Sequence, residues 1–327
     1  MPQNSEQKIK LLILYELLKE NTDEDNPMTT QEIISALKDN GIIVSRKTLY
    51  NDIYILNEYG FDVVCDRQRS NKYFVGERKF ERPEIQMLLS AVGAAYFLSD
   101  KKTKMLLYKL SELLGPQQAQ QVIETISVSS AKHTNEVIYY SIDSIITALL
   151  SKKQLSFLYF DYGLNGERIY RKSRERYVVN PLGMVFSGNN LYFVGFHEKY
   201  ETPTNYRVDR MDEVKVEDNI VADVKQYENF DLNAYTKSQF DMYGGRQEDV
   251  SLIFPKDLLE IAIDRFGENI KPINIDNDGY IVNVTVQVSK TFFAWLTTFE
   301  GQVKIESPQN VIEQYKLFIK NIVQSLE

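Results

Sequence analysis

The chain has 327 residues, 43% of them hydrophobic and 26% charged, ample for two or three domains that each bury a core. A single cysteine, Cys65, excludes an internal disulfide and a cysteine-rich zinc site. Two isolated histidines, His133 and His197, make no ligand cluster, so neither metal nor cofactor is expected. The formal net charge of −8 speaks against a nucleic-acid partner until it is divided along the chain: residues 217–327 hold 18 Asp/Glu and 10 Lys/Arg, the whole excess.

Residues 6–20 place Ile9, Leu12, Ile13 and Leu17 at helical spacing, an amphipathic helix that the acidic loop NTDEDNP ends. No apolar run there or later nears the ~20 residues of a membrane span, and the opening MPQNSEQKIK lacks the apolar stretch of a secretory signal. The expected compartment is the cytoplasm, with no membrane partner. Thr29-Thr30-Gln31-Glu32 is a capping-box pattern for a second helix, with Ile33, Ile34 and Leu37 on its buried side and Gly41 as its stop.

Ser45 is the N-cap candidate of a third helix, SRKTLYNDIYILNEYG. Leu49, Ile53 and Leu56 recur at i, i+4, i+7 and should pack on the first two helices. Lys47, Tyr50, Asn51 and Tyr54 recur on another side. That second set offers a cation, an amide and two phenols, which can donate to phosphates and read base edges in a major groove. FDVVCDRQRSNKYFVG then reads as two strands, 61–66 and 72–75, joined by a polar turn. As a wing, this hairpin would set Arg67, Arg69 and Lys72 against the duplex backbone. From Arg67 to Arg82 six basic residues, with Arg78, Lys79 and Arg82 completing the set, stand against Glu77 and Glu81, a local patch suited to phosphate.

From Val44, the run VSRKTLYNDIYILNEYGFDV resembles the recognition helix of DeoR-type and WYL-domain winged-helix regulators. These favour Ser-Arg-(Arg/Lys)-Thr-(Leu/Ile)-x-Arg-Asp ahead of the wing; here Asn51 stands where a basic residue is usual. The resemblance implies a winged helix-turn-helix over 1–80 that binds a double-stranded DNA operator, with Ser45, Arg46 and Thr48 joining the contacts. The competing reading of the same residues is a three-helix bundle with a solvated charged face.

A helical connector is expected over 81–140: PEIQMLLSAVGAAYFLS, KKTKMLLYKLSELLG and PQQAQQVIETISV, with Pro83 and Pro116 at first helical positions. The first of these is apolar on most sides. Burial between domains or against a second subunit explains that, with Tyr96, Phe97 and the methionines read as packing, and a homodimer on two half-sites is expected.

Residues 141–152 read as one more helix, after which the period becomes two. Strands are expected at 154–162, 175–179, 183–187, 190–196, 205–209 and 213–217, enough for a small, strongly bent barrel. Asn180-Pro181-Leu182-Gly183, then Gly188-Asn189-Asn190-Leu191-Tyr192-Phe193-Val194-Gly195, then Tyr206-Arg207-Val208-Asp209-Arg210-Met211 together resemble the WYL domain. The family's Trp-Tyr-Leu run reads Leu191-Tyr192-Phe193 here; Phe157, Tyr159 and Asp161 suit its opening strand. The resemblance implies an Sm/SH3-like barrel over 141–220 that senses an anionic effector, nucleic acid or nucleotide. Arg207 and Arg210 would take phosphate bidentately, if a bend after Val208 brings them together, and Tyr192 would supply a hydroxyl or a stacking ring. Tyr159 and Arg176 are further candidates by strand placement. Against these stand plainer readings: Arg210 paired with Asp209 or Asp212, Tyr192 as a core aromatic, and His197 as a solvated loop residue.

After a linker at 221–248, residues 249–327 read β-α-β-β-α-β plus a final helix, a ferredoxin-like split arrangement that resembles the C-terminal extension of many WYL proteins. DNDG at 276–279 reads as a hairpin turn, and Trp295, Phe292, Phe293 and Phe299 as core. The expected fold class is therefore multidomain α+β. No phosphate loop, HExxH or paired nucleophile and base occurs, so an enzyme is not expected. The expected function is an effector-controlled transcriptional regulator; the alternative is an accessory nucleic-acid binder that modulates another complex, such as a defence system.

Overall fold

The computed structural model describes residues 3–67, 70–128, 137–197, 200, 202–222, 228–275 and 279–326. The chain divides into two compact units, 1–136 and 137–327, both mixing helix and sheet. Among the described residues no helix is long and apolar enough to cross a membrane. Arg69, His133 and the residues 276–278 of the DNDG turn lie outside the described residues.

The first unit opens with α1 (Gln3–Asn21), β1 (Met28–Thr29), α2 (Thr30–Asp39), α3 (Arg46–Glu58), β2 (Val63–Asp66) and β3 (Lys72–Val75). The strands form an antiparallel sheet in the order β1-β3-β2. Local chemistry sets the helix starts. The Thr29 hydroxyl accepts from the Glu32 N–H at 3.3 Å while the Glu32 carboxylate accepts from the Thr29 N–H at 2.7 Å, and the latter bond lowers the Glu32 pKa. Ser45 caps α3, its hydroxyl accepting from the Thr48 N–H at 3.1 Å. The core gathers Leu14, Leu17 and Leu18 of α1, Ile33 and Leu37 of α2, Leu49, Ile53 and Leu56 of α3, and Val63, Tyr73 and Val75 of the strands. The spacing in α1 names a different stripe: Ile9 and Leu12 are half or more exposed. The run Leu11-Leu12-Ile13-Leu14 is apolar all round the helix, so its period selects no face.

Two polar contacts tie this module together. Lys10 Nζ meets Asp52 Oδ2 at 2.7 Å, with side chains 16% and 5% exposed, fastening α3 to α1 from inside. Asp23, in the loop that the sequence presents as a solvated terminator, is buried. Its Oδ2 accepts from the Gln117 and Gln118 N–H groups at 3.0 and 3.3 Å and so caps α6 (Pro116–Glu124), whose own N-cap, Gly115, has no side chain to do it. A Cβ on Gly115 would collide with Asp23, so the cap requires glycine there. Arg78, which the sequence places in the basic patch, turns inward and donates to the carbonyls of Lys19 (2.9 Å) and Thr22 (2.7 Å) at the end of α1, where carbonyls lack partners.

Helices α4 (Arg82–Ala94), α5 (Asp100–Ser111) and α6 share a small core of Ile85, Leu89, Leu107, Leu114 and Val122. The first is shorter than its apolar run suggests: it stops at Ala94, leaving Tyr96 and Phe97 outside it, and Met87, Leu88 and Tyr96 are exposed.

The second unit begins with α7 (Ile138–Ser151) and six strands, β4 (Lys153–Tyr162), β5 (Arg168–Tyr170), β6 (Tyr177–Ser187), β7 (Asn190–Phe196), β8 (Thr204–Arg207) and β9 (Met211–Ile220). They form an antiparallel sheet in the order β5-β4-β6-β7-β8, with β9 on the other edge of β4, curled into a half-barrel. Two expectations change. Residues 175–179 and 183–187 fall on one bent strand, because the ladder shifts between Pro181 and Gly183 without ending; and β5 lies where no strand is expected. Inside the curl five rings touch: Phe157 stacks on Tyr177 at 5.5 Å, and Tyr206 meets Phe157, Tyr159, Tyr177 and Phe193 at 5.0–6.1 Å.

Downstream lie α8 (Leu232–Lys237), β10 (Arg246–Phe254), α9 (Leu259–Phe266), β11 (Ile273–Ile275), β12 (Gly279–Val288), α10 (Lys290–Thr297), β13 (Lys304–Ser307) and α11 (Gln309–Gln324). The sheet runs β11-β12-β10-β13, antiparallel throughout, so the first and third strands in sequence are its centre. Its core holds Phe254, Phe292, Phe293 and Leu296, with Trp295 and Phe299 packed against it.

The Lys10–Asp52 pair yields a direct test. Lys10→Met leaves a carboxylate buried without its counter-charge and should cost about 3 kcal/mol in urea unfolding, most of it recovered by adding Asp52→Leu. Unchanged stability in the single variant would show that the pair holds nothing.

Candidate functional site

The polar end of the half-barrel is built around Tyr159. Alternation along β4 puts Phe157, Tyr159 and Asp161 on one face; the first two are buried, and Asp161 reaches the rim. The Tyr159 hydroxyl accepts from the backbone N–H of Arg207 at 3.1 Å. Burial raises its pKa, with that bond and the nearby Arg210 and Arg171 opposing. Immediately after Arg207 the chain makes a single turn of 3-10 helix, 208–210, before β9. This is the bend that Arg207 and Arg210 require if they are to serve one site.

Arg210 does not pair as its plainer sequence reading has it. Arg210 Nη1 donates to Asp161 Oδ1 at 3.2 Å, not to Asp209 or Asp212, because the turn directs it back toward β4. Arg207 holds Asp209 with Nε at 3.0 Å and Nη2 at 2.9 Å, and Asp209 is fully buried. Burial works against the charge on Arg207, but the Asp209 bonds prevail and raise its pKa. Asp212 instead accepts from the Tyr170 hydroxyl and from Arg168, at 2.6 and 3.0 Å. Tyr192 lies directly across the β7–β8 ladder from Arg207 and is half-buried beside Tyr235 and Met242. Burial raises its pKa. It packs on one side, as the core reading has it, and lies beside the Arg207 guanidinium on the other.

Sequence reasoning missed Arg171. Its Nε and Nη2 grip Asp161 at 2.7 and 2.9 Å, and its guanidinium lies 5.1 Å from the centroid of the Tyr159 ring. The hydrogen bond from Arg171 keeps the Asp161 carboxyl below its usual range. Arg171 opens a strap whose next residues, Lys172, Ser173 and Arg174, all have positive φ (48°, 51° and 73°), a run that costs energy in non-glycine residues. Cation–ring contacts hold it down: Lys172 Nζ lies 4.0 Å from the centroid of Tyr177, and the Arg174 guanidinium 4.7 Å from that of Tyr170. The density of cations in RIYRKSRER was the available signal; three left-handed residues in succession have none.

The cluster thus joins Tyr159, Asp161, Arg171, Arg207, Asp209 and Arg210. In it Arg210 Nε is buried and, among the described residues, has no hydrogen-bond partner, a donor whose desolvation nothing offsets. Arg176 does not belong to it. Its guanidinium is spent on the hydroxyl and carbonyl of Ser156 and on Glu213, at 2.6–3.4 Å, on the other face of β4; it braces β4 against β9. His197 is neither free nor solvent-directed: its Nε2 shares a 3.0 Å hydrogen bond with the Tyr206 hydroxyl.

In the first unit α3 divides cleanly. Leu49, Asp52, Ile53 and Leu56 are buried, while Ser45, Arg46, Lys47, Thr48, Tyr50, Asn51 and Tyr54 are exposed. The Ser45 and Thr48 hydroxyls bond each other at 2.8 Å and are partly committed to the cap. Arg67 follows β2 and Lys72 begins β3, both exposed.

The carboxylates at the two arginine seats differ in burial, and so should the effects of removing their charge. Asp209→Asn, inside the protein, should lose at least about 2 kcal/mol of stability in chemical denaturation. Asp161→Asn, at a rim 40% exposed, should lose less than about 1 kcal/mol. Equal losses would mean that Asp161 is a structural residue.

Comparison with known proteins supports the central part of the chain most directly. Residues 141–216 match the family model of the WYL domain. Among solved structures, the chain aligns over 95% of its length with proteasome accessory factor B/C (PafBC) of Arthrobacter aurescens, at 16% identity and a TM-score of 0.31. It covers 48% of that chain, so it spans about half the length of this neighbour. A CRISPR Cas-related protein aligns over 94% of this chain and 97% of its own, at 10% identity and a TM-score of 0.38. No curated protein matches the sequence. The half-barrel with its Tyr159 cluster is a WYL domain.

Proposed function

We propose that the chain is a sequence-specific, DNA-binding transcriptional regulator of the cytoplasm, with no catalytic role, whose WYL domain senses an anionic effector, a nucleotide or single-stranded nucleic acid. The observation that carries this reading is the division of α3. A cation, an amide and two phenols line an exposed face backed by a capped, well-packed helix, in a chain that also holds a WYL domain. As a winged helix-turn-helix, the module would read bases with Lys47, Tyr50, Asn51 and Tyr54 and rest Arg46, Arg67 and Lys72 on phosphates. The exposed Met87 and Leu88 of α4 support contact with a second copy, and two copies would read two half-sites.

The effector site has an internal competitor. Asp161 and Asp209 already occupy the guanidiniums of Arg171, Arg210 and Arg207, so an incoming phosphate group must displace Asp161 from the rim. It would gain the unspent Nε of Arg210 in return. An effector acts only if it binds one arrangement of the protein more tightly than another, and the Asp161 clasp is the element whose opening it would select.

Pull-down of sheared genomic DNA followed by sequencing tests the regulator. A palindromic site should be enriched, about tenfold to a hundredfold weaker with Asn51→Ala, and Lys72→Ala should lower the salt slope of binding by about one. Absence of any enriched site sinks the regulator and favours the accessory nucleic-acid binder. For the effector, a short oligo-dT or a mononucleotide should bind more tightly to Asp161→Asn than to wild type, and more weakly to the Arg171→Ala, Arg210→Ala double variant. Weaker binding to Asp161→Asn would refute the clasp.

A further inference from the structure

Arg265, in the last turn of α9, contrasts with the arginines of the half-barrel. Its guanidinium lies 3.9 Å from the centroid of the Phe240 ring and donates Nη2 to the Gln239 carbonyl. Burial lowers its pKa, yet among the described residues no carboxylate lies within ion-pair distance of it. A planar group with five donors therefore makes, among the described residues, one hydrogen bond and one close ring contact. On the same wall, Gln239 keeps its Nε2 buried and without a partner. A cavity of about 650 Å³ opens here, within the usual size of small-molecule sites.

The rest of its lining specifies complementary chemistry. Phe240 and Trp295, with ring centroids 5.1 Å apart, and Ala294 supply the apolar wall. Thr291 donates its hydroxyl proton to the Phe240 carbonyl at 2.8 Å, and Thr298 donates to the Trp295 carbonyl at 2.6 Å. The Thr298 oxygen is thereby left as an acceptor, whereas Thr291 Oγ1 already takes a 2.9 Å hydrogen bond from Ser289 Oγ and keeps one lone pair. Asp241, exposed at the rim, adds a carboxylate close enough to act on the Arg265 charge. It sits with Met242 in a left-handed turn, φ 51° and 58°, a conformation that commonly persists where a site uses it. The Arg265 guanidinium and the Lys237 ammonium, the Asp241 carboxylate, the threonine oxygens and an aromatic wall suit a ligand with an anionic end, a donor-bearing cationic group beside it, and an apolar body.

We propose that this cavity, formed by the segment 236–241 with α9 and α10, binds a free α-amino acid with a large apolar side chain. The carboxylate pairs with Arg265, the ammonium with Asp241 and the threonine oxygens, and the side chain lies on Trp295. The site is distinct from the Tyr159 cluster and does not depend on the role proposed for it.

Isothermal titration of the full chain with L-phenylalanine, 3-phenylpropionate and 2-phenylethylamine tests it. L-Phenylalanine should bind, with each analogue at least tenfold weaker, since each lacks one charged group. Ala294→Trp fills the cavity from an exposed helical position and should abolish binding with the melting temperature unchanged. Arg265→Gln should also abolish it, but it removes the bond to Gln239 as well, so Ala294→Trp decides. The proposal is overturned if phenylalanine, leucine, methionine and tryptophan all fail to bind up to about 10 mM, if the analogues bind as well as the amino acid, or if binding survives Ala294→Trp.

Discussion

The hydrogen bond from the Arg207 backbone to the Tyr159 hydroxyl fixes the geometry on which the WYL domain depends. A tyrosine buried among four other rings needs a partner for its oxygen, and the one it has is the last N–H of β8 before the chain turns. The turn at 208–210 is thereby held against β4. Everything polar at that end follows: Arg207 reaches Asp209, Arg210 swings back to Asp161, and Arg171 closes over the Tyr159 ring. The aromatic core therefore orders charges at its own edge.

The acidity of the whole chain tells little about these sites. The excess of carboxylates belongs to residues 217–327, whereas in the half-barrel acids and bases are matched in specific pairs. Asp161 illustrates the consequence. It is an anion supplied by the protein at a place where two guanidiniums converge, and it keeps that place satisfied in the absence of any other anion.

Much of the fold was legible because it rests on local chemistry. The capping boxes and caps at Thr29 and Ser45, the i, i+4, i+7 core of α3 and the alternation of β4 each follow from side chains within one or two turns. What was not legible rests on contacts distant in sequence. Asp23 caps α6 from 94 positions away, so its loop reads as an acidic linker until the helices are assembled. Arg78 looks like one more cation of a basic patch until α1 ends beside it. At the effector cluster the residue types were readable, but their pairing was not. Asp161 and Arg210 are 49 positions apart, and Arg171 depends on a left-handed strap that no composition announces. Arg176 is suggested by its place on an expected strand, and a strand fixes a face without saying which partners are already there.

Two half-buried arginines of the second unit, Arg207 and Arg265, set limits on what each could recognise. Arg207 has a carboxylate of its own, fully buried and held by two bonds, so a single external carboxylate would gain nothing by exchange and would leave Asp209 uncompensated. An anion effective at that end must leave Asp209 in place and take the rim, where Arg171 and Arg210 share the more exposed Asp161. Exchange there favours a group with more charge and more oxygens than a carboxylate, which a phosphate has. Among the described residues Arg265 has no ion-paired carboxylate, only Asp241 acting on it from the exposed rim, so one external carboxylate suffices. The same side chain at similar depth thus suits different ligands, according to whether the protein has already supplied its counter-ion.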